Sequence, residues 1–442
     1  MNEPKATVAL ISLGCPKNLV NSEEMLALLD EAGFAFSDDP ARADAVIINT
    51  CAFIDSAKAE SIEKILEIAA LREENPELKI IVTGCLAQRY WKDIRAEMPE
   101  VDGIVGTGSY SRIVTAVEDA LAGGSPTCRG PVSAPFAELP RVVSTGPAWA
   151  YLRIAEGCDN RCAYCVIPSI RGKFRSRKME DILREAELLA DAGVKELIIV
   201  AQDITRYGVD LYGKLCLGDL LKELCKLDFR WIRLHYLYPE LIGDELIDVI
   251  AGEEKIVKYL DIPIQHINDE ILRRMNRRST GDEIRALFRK LRERIPGVVL
   301  RTSVITGLPG EGEAEFEELC TFLREARIER AGFFPFSPEE GTPAAAMTDR
   351  CTTEEARRRA ELCMELQAEI MDDFAGSLIG RELEVLCMGT DEDGALWGRS
   401  PYDSPDIDSR VVFSGNALPG DMIRVTVTAA EEGDLIGEQI GE

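Results

Sequence analysis

Histidine is nearly absent from this chain: His235 and His266 are the only two among 442 residues. A zinc enzyme, or a hydrolase relying on an imidazole base, would have little to build with. No uninterrupted apolar run approaches the roughly 20 residues of a helical membrane span. The opening residues, Met1-Asn-Glu-Pro-Lys-Ala-Thr-Val-Ala-Leu10, lack the basic-then-apolar order of a secretory signal, so a cytoplasmic location is expected. Positive charge is scarce: 51 Lys and Arg face 78 Asp and Glu, a formal net charge of −27. A surface broadly adapted to a phosphate backbone shows a basic footprint, so direct nucleic-acid binding is not favoured. Composition alone equally allows acidity that serves only solubility. The length implies two or three domains with ample core.

Cysteine, by contrast, is plentiful. Thirteen in a chain with no export signal point to metal or cluster ligation for some, not to a disulfide framework. Cys158, Cys162 and Cys165 form a C-x3-C-x2-C run within Glu156-Gly-Cys-Asp-Asn-Arg-Cys-Ala-Tyr-Cys-Val-Ile-Pro-Ser169. Three thiolates so close in sequence suit three irons of a four-iron, four-sulfur cluster, with the fourth iron left open. A zinc half-site is the alternative, but no second cysteine pair follows at zinc spacing.

The first 140 residues alternate strand and helix patterns, which implies a parallel sheet. Val8–Leu13, Ala45–Thr50 and Lys79–Thr83 read as buried strands, with Gly103–Gly106 a fourth. Each of the first three is followed by a cysteine: Cys15, Cys51 and Cys85, spaced 36 and 34 residues apart. Ligands of open parallel sheets bind outside the carboxyl ends of the strands. The three thiols should therefore converge at one edge, a second set of three; three buried cysteines acting as small hydrophobes are the alternative. Gly123 to Pro147 is rich in Gly, Pro and Ser and reads as a linker, with Cys128 incidental.

Six strand candidates follow, at Ala150–Ile154, Glu196–Ala201, Trp231–Tyr236, Lys258–Ile262, Val299–Ile305 and Gly332–Phe336. Separated by helical patterns, they suggest a partial eight-fold barrel with chemistry at the carboxyl ends of its strands. Arg357–Phe374 reads as a helix. Beyond Gly376 come short strands at Glu382–Cys387, Leu396–Arg399, Val411–Phe413 and Met422–Thr428, a small β-barrel. The expected fold is α/β: a Rossmann-like parallel-sheet domain (1–130), a linker (131–146), a partial (βα)6 TIM barrel (147–375) and a small antiparallel β-barrel (376–442).

The C-x3-C-x2-C run, with Tyr164 before its last cysteine, resembles the signature of the radical S-adenosylmethionine (SAM) enzymes. The resemblance extends to essentially the whole chain. Leu13-Gly-Cys-Pro-Lys-Asn18, Asn49-Thr-Cys51 and Gly84-Cys-Leu-Ala-Gln-Arg89 resemble the three amino-terminal motifs of the methylthiotransferase family. The middle resembles a radical-SAM barrel and the end a TRAM domain. Cys15-Pro-Lys-Asn18, Cys51–Ser61 and Leu260-Asp-Ile-Pro-Ile-Gln-His266 look like the RimO branch, which modifies a ribosomal protein. One departure is Ala52, where many relatives have Gly.

The resemblance implies two 4Fe–4S clusters as metal sites. One, on Cys158, Cys162 and Cys165, chelates SAM and cleaves it to a 5′-deoxyadenosyl radical. The auxiliary one, on Cys15, Cys51 and Cys85, carries the sulfur. It places Tyr164, Gln202, Asp203 and the glycines of Gly307-Leu-Pro-Gly310 on the SAM side. It also implies an electron donor, a sulfur donor, and a methylthio group added to the β-carbon of an aspartate in the twelfth small-subunit ribosomal protein. Arg171, Lys173, Arg175, Arg177 and Lys178 form a basic cluster that could meet the SAM carboxylate or an acidic substrate. Residues 376–442 hold four Arg, no Lys and fourteen Asp plus Glu. Asp403, Asp406 and Asp408, in one loop, are candidate contacts to a basic protein substrate. The alternatives are a transfer-RNA methylthiotransferase acting on a modified adenosine and a non-catalytic iron–sulfur scaffold.

Overall fold

The structure, a computed structural model, describes residues 4–146 and 148–441; Met1–Glu3, Pro147 and Glu442, which fall at the ends of expected domains, lie outside the described residues. The chain forms two compact units. One comprises Met1–Ser144, Ala155–Arg177 and Glu339–Ala345, and the other Thr145–Ile154, Lys178–Pro338 and Ala346–Glu442.

The first unit is built on a six-stranded sheet of β1 (Thr7–Ser12), β2 (Ala35–Phe36), β3 (Ala45–Thr50), β4 (Lys79–Thr83), β5 (Gly103–Gly106) and β6 (Thr127–Cys128). The order is β2-β1-β3-β4-β5-β6, and every pairing is parallel. Helices α1 (Pro16–Glu31), α2 (Asp55–Ala70), α3 (Gly84–Glu97) and α4 (Ile113–Leu121) connect the strands. The apolar runs are continuous because both faces of the sheet are covered. Val46, Ile48, Ile80 and Val82 pack with Ile65 and Ile68 of α2 and Leu86 and Ile94 of α3. Ala45, Ile47 and Ile81 pack on the other face with Met25 and Leu29 of α1 and Val117 of α4. Fully burying each such aliphatic side chain is worth about 1.5–3 kcal/mol. Two strands of this sheet were not apparent in the sequence. β2 is two residues long. β6 lies in the stretch expected to be linker, and it makes Cys128 a buried member of the core, not an incidental residue.

The second unit has a six-stranded parallel sheet of β7 (Trp149–Arg153), β8 (Glu196–Val200), β9 (Trp231–Leu234), β10 (Ile256–Asp261), β11 (Val299–Thr306) and β12 (Arg330–Pro335). They lie side by side in sequence order. Helices α5 (Met179–Asp191), α6 (Leu217–Leu224), α7 (Asp244–Gly252), α8 (Gly281–Arg294), α9 (Glu313–Ala326) and α10 (Thr353–Gly376) each follow one strand. This is the partial (βα)6 barrel. Thr352 starts α10 by accepting the Glu355 N–H at 3.2 Å. At its other end Ala375 and Leu378 enter the core of the terminal barrel.

That barrel is closed, in the order β13 (Glu382–Thr390), β14 (Leu396–Arg399), β15 (Val411–Ser414), β17 (Asp434–Gln439), β16 (Met422–Glu431). It is not wholly antiparallel as expected: β15 and β17 pair in parallel, because β17 closes the barrel after the β16 turn.

The β14–β15 loop fastens the small barrel to polar side chains of the large sheet. Glu196 on β8, fully buried, receives Arg233 of β9 and Arg399 of β14, each at 2.6 Å. Arg330 of β12 meets Asp403 at 2.7 Å, and Ser400 Oγ donates to the same carboxylate at 2.5 Å. Tyr259 of β10 donates to Asp408 at 2.5 Å, and Ser404 Oγ lies 2.9 Å from His235 Nε2. The expectation that Asp403 and Asp408 contact substrate is thereby corrected. Asp403 is buried and Asp408 half-buried, both held by the partners that seat the loop, and Asp406 alone of the three is exposed.

Removing one partner of a buried ion pair strands the other charge, at about 3–5 kcal/mol. Glu196→Gln is expected to lower stability by about that amount in chemical denaturation. Burial alone would raise the pKa of Glu196, but Arg233 and Arg399 bring it below the ordinary 4.5. Its contribution is therefore complete above that pH and drains away as pH falls through the lower folded-state value. In the same assay Asp403→Ala should also cost about 3–5 kcal/mol, while Asp406→Asn, which suits the left-handed backbone there (φ +67°), stays within about 0.5 kcal/mol of the parent.

Candidate functional site

The first unit gathers both cysteine triplets. Cys15 caps α1, Cys51 stands just before α2, and Cys85 lies in the first turn of α3. All three helices leave the carboxyl ends of adjacent strands β1, β3 and β4. Their N-termini present backbone N–H groups and partial positive charge to one edge of the sheet, a pull toward thiolate that burial outweighs at Cys51 and Cys85.

Two glycines make the convergence possible. Gly14 has φ +88°, and a Cβ there would lie 2.8 Å from Cys51 Cβ. Gly84 has φ +92°, and its Cβ would lie 2.5 Å from the Thr50 carbonyl oxygen. Side chains then lock the loops. Asn18 Nδ2 donates to the Leu13 and Thr50 carbonyls, each at 3.0 Å, and its Oδ1 lies 3.8 Å from Cys85 Sγ. Ser61 clamps Cys51 by accepting its N–H and donating to its carbonyl, both at 3.0 Å.

The three thiols feel one another. Burial, then the charges of Cys85 and Cys15, push Cys51 up to about 12. Burial also raises Cys85, against the pull of Arg171. Cys15 is lowered: burial opposes this, but the charges of Lys17 and Arg171 and the Asn18 and Lys17 N–H groups prevail. Among the described residues, no three His, Cys, Asp or Glu side chains stand close enough together to hold a single metal ion. A single ion needs every ligand within about 2.3 Å of one point. A cubane offers its irons at separate corners and accepts thiolates spaced more widely.

Cys158, Cys162 and Cys165 lie in the loop of a two-stranded hairpin, Ala155–Glu156 paired with Arg175–Ser176. Cys158 N–H donates to the Gly172 carbonyl at 3.1 Å, and Cys165 N–H to that of Cys162 at 3.0 Å. Cys162 is buried; Cys158, Cys165 and Tyr164 are half-buried. The short helix after them, Ile167–Arg171, inserts Ile170 and the preceding Val166 into the core beside α2 and α3.

That helix carries Arg171 inward, contrary to its expected place in a basic cluster open to SAM or an acidic substrate. Its Nη1 donates to Asn21 at 2.7 Å and to Glu156 at 3.3 Å. Its Nη2 meets Asn18 Oδ1, and Cys85 Sγ at 3.5 Å. Arg177 is likewise occupied, by Glu138 at 3.0 and 3.1 Å. Sequence reading also missed Glu339, which is buried against Arg89 at 2.6 Å and Lys58 at 3.0 Å. Arg89 in turn holds the Ala52 carbonyl at 3.1 Å, next to Cys51.

The remaining expected residues lie in the second unit. Gln202 is half-buried after β8; Asp203 is fully buried and caps a short turn by accepting the Thr205 N–H at 3.1 Å. Gly307 and Gly310 follow β11 with φ of +76° and +90°. A Cβ on Gly307 would lie 2.5 Å from that of Ala356, and one on Gly310 would lie 2.2 Å from Arg274 Nη1. Close packing against Ala356 excludes a side chain at Gly307, while at Gly310, where Arg274 could move aside, the positive φ is what favours glycine. Glu311 holds the turn, accepting the Gly307 N–H and Arg359, each at 2.8 Å, with His266 Nε2 at 3.3 Å.

Residues 7–106 match the Uncharacterized protein family UPF0004, residues 152–323 the Radical SAM superfamily and residues 379–440 the TRAM domain. Among solved structures, the radical S-adenosylmethionine methyltransferase TsrM from Kitasatospora setae, with cobalamin and a 4Fe–4S cluster bound, is similar in fold. Its TM-score is 0.55 at 15% identity, covering 87% of this chain and 81% of that one. Similar curated proteins include the ribosomal protein uS12 methylthiotransferase RimO of Pelotomaculum thermopropionicum, 50% identical over 98% of this chain and 99% of the relative. The protein of that name from Caldanaerobacter subterraneus is 48% identical over 98% and 99%. One from Anaeromyxobacter is 48% identical over 98% and 93%. With half its residues shared across nearly its whole length, the chain belongs to the RimO family of ribosomal protein uS12 methylthiotransferases.

Proposed function

We propose that the chain adds a methylthio group to the β-carbon of one aspartate in ribosomal protein uS12. Cys158, Cys162 and Cys165 would hold a 4Fe–4S cluster whose open iron takes SAM. Cys15, Cys51 and Cys85 would hold the auxiliary cluster. The observation that carries this reading is the meeting of three strand-end cysteines at three helix N-termini, around Asn18 and Arg171. When bound, these groups supply a SAM-derived radical for hydrogen abstraction and a sulfur for transfer, chemistry needed because an aspartate β-hydrogen is too weakly acidic for a side-chain base.

The chain's own residues position and shield. Gly14, Gly84, Asn18 and Ser61 fix the auxiliary thiols. Tyr164, Gln202, Asp203 and the Gly307–Gly310 turn are assigned to the SAM side, from their places after the first, second and fifth barrel strands. The terminal domain, with ten more acidic than basic residues, attracts a basic ribosomal protein and repels RNA. The reaction consumes an electron and a sulfur, so an external electron donor and a sulfur donor are partners. Among the described residues, no helix is long and apolar enough to cross a membrane. A cytoplasmic site of action follows from the ribosomal substrate.

Mass spectrometry of uS12 and of transfer RNA, from cells with and without the gene, tests the substrate. The expected result is loss, from uS12 alone, of the mass of one methylthio group replacing one hydrogen. Loss from RNA alone would sink the proposal in favour of a transfer-RNA enzyme. Replacing all three cysteines of either triplet by Ala should halve the iron bound after anaerobic reconstitution. Iron unchanged by loss of Cys15, Cys51 and Cys85 would remove the auxiliary site.

A further inference from the structure

We infer that Arg171 is a positioning residue for the auxiliary thiol site, holding the Cys85 sulfur through a direct N–H···S contact and joining it to Glu156, two residues ahead of Cys158. The inference rests on the two-cluster reading above and concerns how one of the two sites is tuned.

Arg171 is buried, 4% exposed. A buried guanidinium is usually completed by a carboxylate that takes two of its N–H groups at once. Among the described residues the carboxylate bonded to it is Glu156, which takes a single N–H at 3.3 Å. The other terminal nitrogen is turned to Asn18 and to Cys85 Sγ at 3.5 Å. The side chain therefore presents a fixed cation and a donor to a sulfur. Its charge cannot be lost, because guanidinium does not deprotonate in proteins. It is delivered by the helix after the C-x3-C-x2-C run, from 86 residues away in sequence. The carboxylate that steadies it belongs to the strand entering that run. Neither the sheet nor the core needs a cation at this point: Val166 and Ile170 already seat the segment by apolar packing.

Reduction adds negative charge to an iron–sulfur cluster. Hydrogen bonds to its sulfurs and nearby net charge are among the quantities that set its potential. With Cys85 as a ligand, Arg171 stabilises the reduced state, so its loss should make the auxiliary cluster harder to reduce.

The test uses the full-length chain carrying C158A, C162A and C165A, so that only the auxiliary site takes up a cluster. After anaerobic reconstitution with iron and sulfide, the midpoint potential is read by an EPR-monitored reductive titration. Arg171→Met is expected to shift it to more negative values, with Arg171→Lys between that and the parent and circular dichroism unchanged. An unshifted or more positive midpoint in R171M at full iron load would overturn the assignment. Should R171M bind no cluster, R171K decides. A recovered cluster with a midpoint at or below the parent's supports the assignment; no cluster, or a higher midpoint, overturns it. A parent chain that takes up no cluster overturns the two-cluster reading and this assignment together.

Discussion

The in-register pairing of β3 with both its neighbours is the constraint on which the thiol edge rests. Ser12, Asn49 and Thr83 lie on one line across the sheet. Cys15, Cys51 and Cys85 come three, two and two residues later. A one-residue slip of β3 would move Cys51 about 3.3 Å along the strand and exchange its two faces. Ile47 and Ile48 pack in different clusters, so the slip would mismatch both cores at once. Asn49 adds a polar lock, its Nδ2 donating to the Asn18 carbonyl at 2.8 Å and to Ser22 Oγ at 2.9 Å. Packing of the sheet and placement of the thiols are thus one property.

Charge is arranged by the same economy. Among the described residues, eight arginines and Lys17 are buried, against nine buried carboxylates. The interior is balanced, so the acidic excess of the chain lies on exposed and half-buried positions. The arginines inside are structural fasteners: Arg233 and Arg399 on Glu196, Arg330 on Asp403, Arg359 on Glu311. An interior that takes up cations leaves a surface still poorer in them, suited to a basic partner.

Much of this was legible in the sequence, and the exceptions have physical reasons. Ala45–Thr50, Lys79–Thr83 and Gly103–Gly106 are apolar runs bounded by polar or Gly residues, and each is a strand with those limits. Ala35–Phe36 and Thr127–Cys128 are edge strands too short to show a period. Asp434–Gln439 is polar and holds a glycine, yet it closes the terminal barrel because two neighbours pair with it. The thiol triplet was legible because strand then cysteine recurs three times. Arg171 was not: a cation among cations reads as surface, and only the fold brings it to Cys85. Asp403 and Asp408 misled for the same reason, since carboxylates in a polar loop read as exposed until Arg330 and Tyr259 are placed beside them.

The composition of the first unit bears on how the chain is made. Its sheet is complete by residue 128, but the unit also contains Ala155–Arg177 and Glu339–Ala345. The last of these emerges nearly 200 residues after Ser144, a delay of roughly 10–40 s at about 5–20 residues per second. During that interval Arg89 and Lys58 lack the carboxylate of Glu339. The unit built on the amino-terminal sheet is thus completed only by a piece synthesised after all six barrel strands. A ribosome-borne truncation anywhere before residue 339 would release a sheet bearing cysteines whose surroundings were never completed.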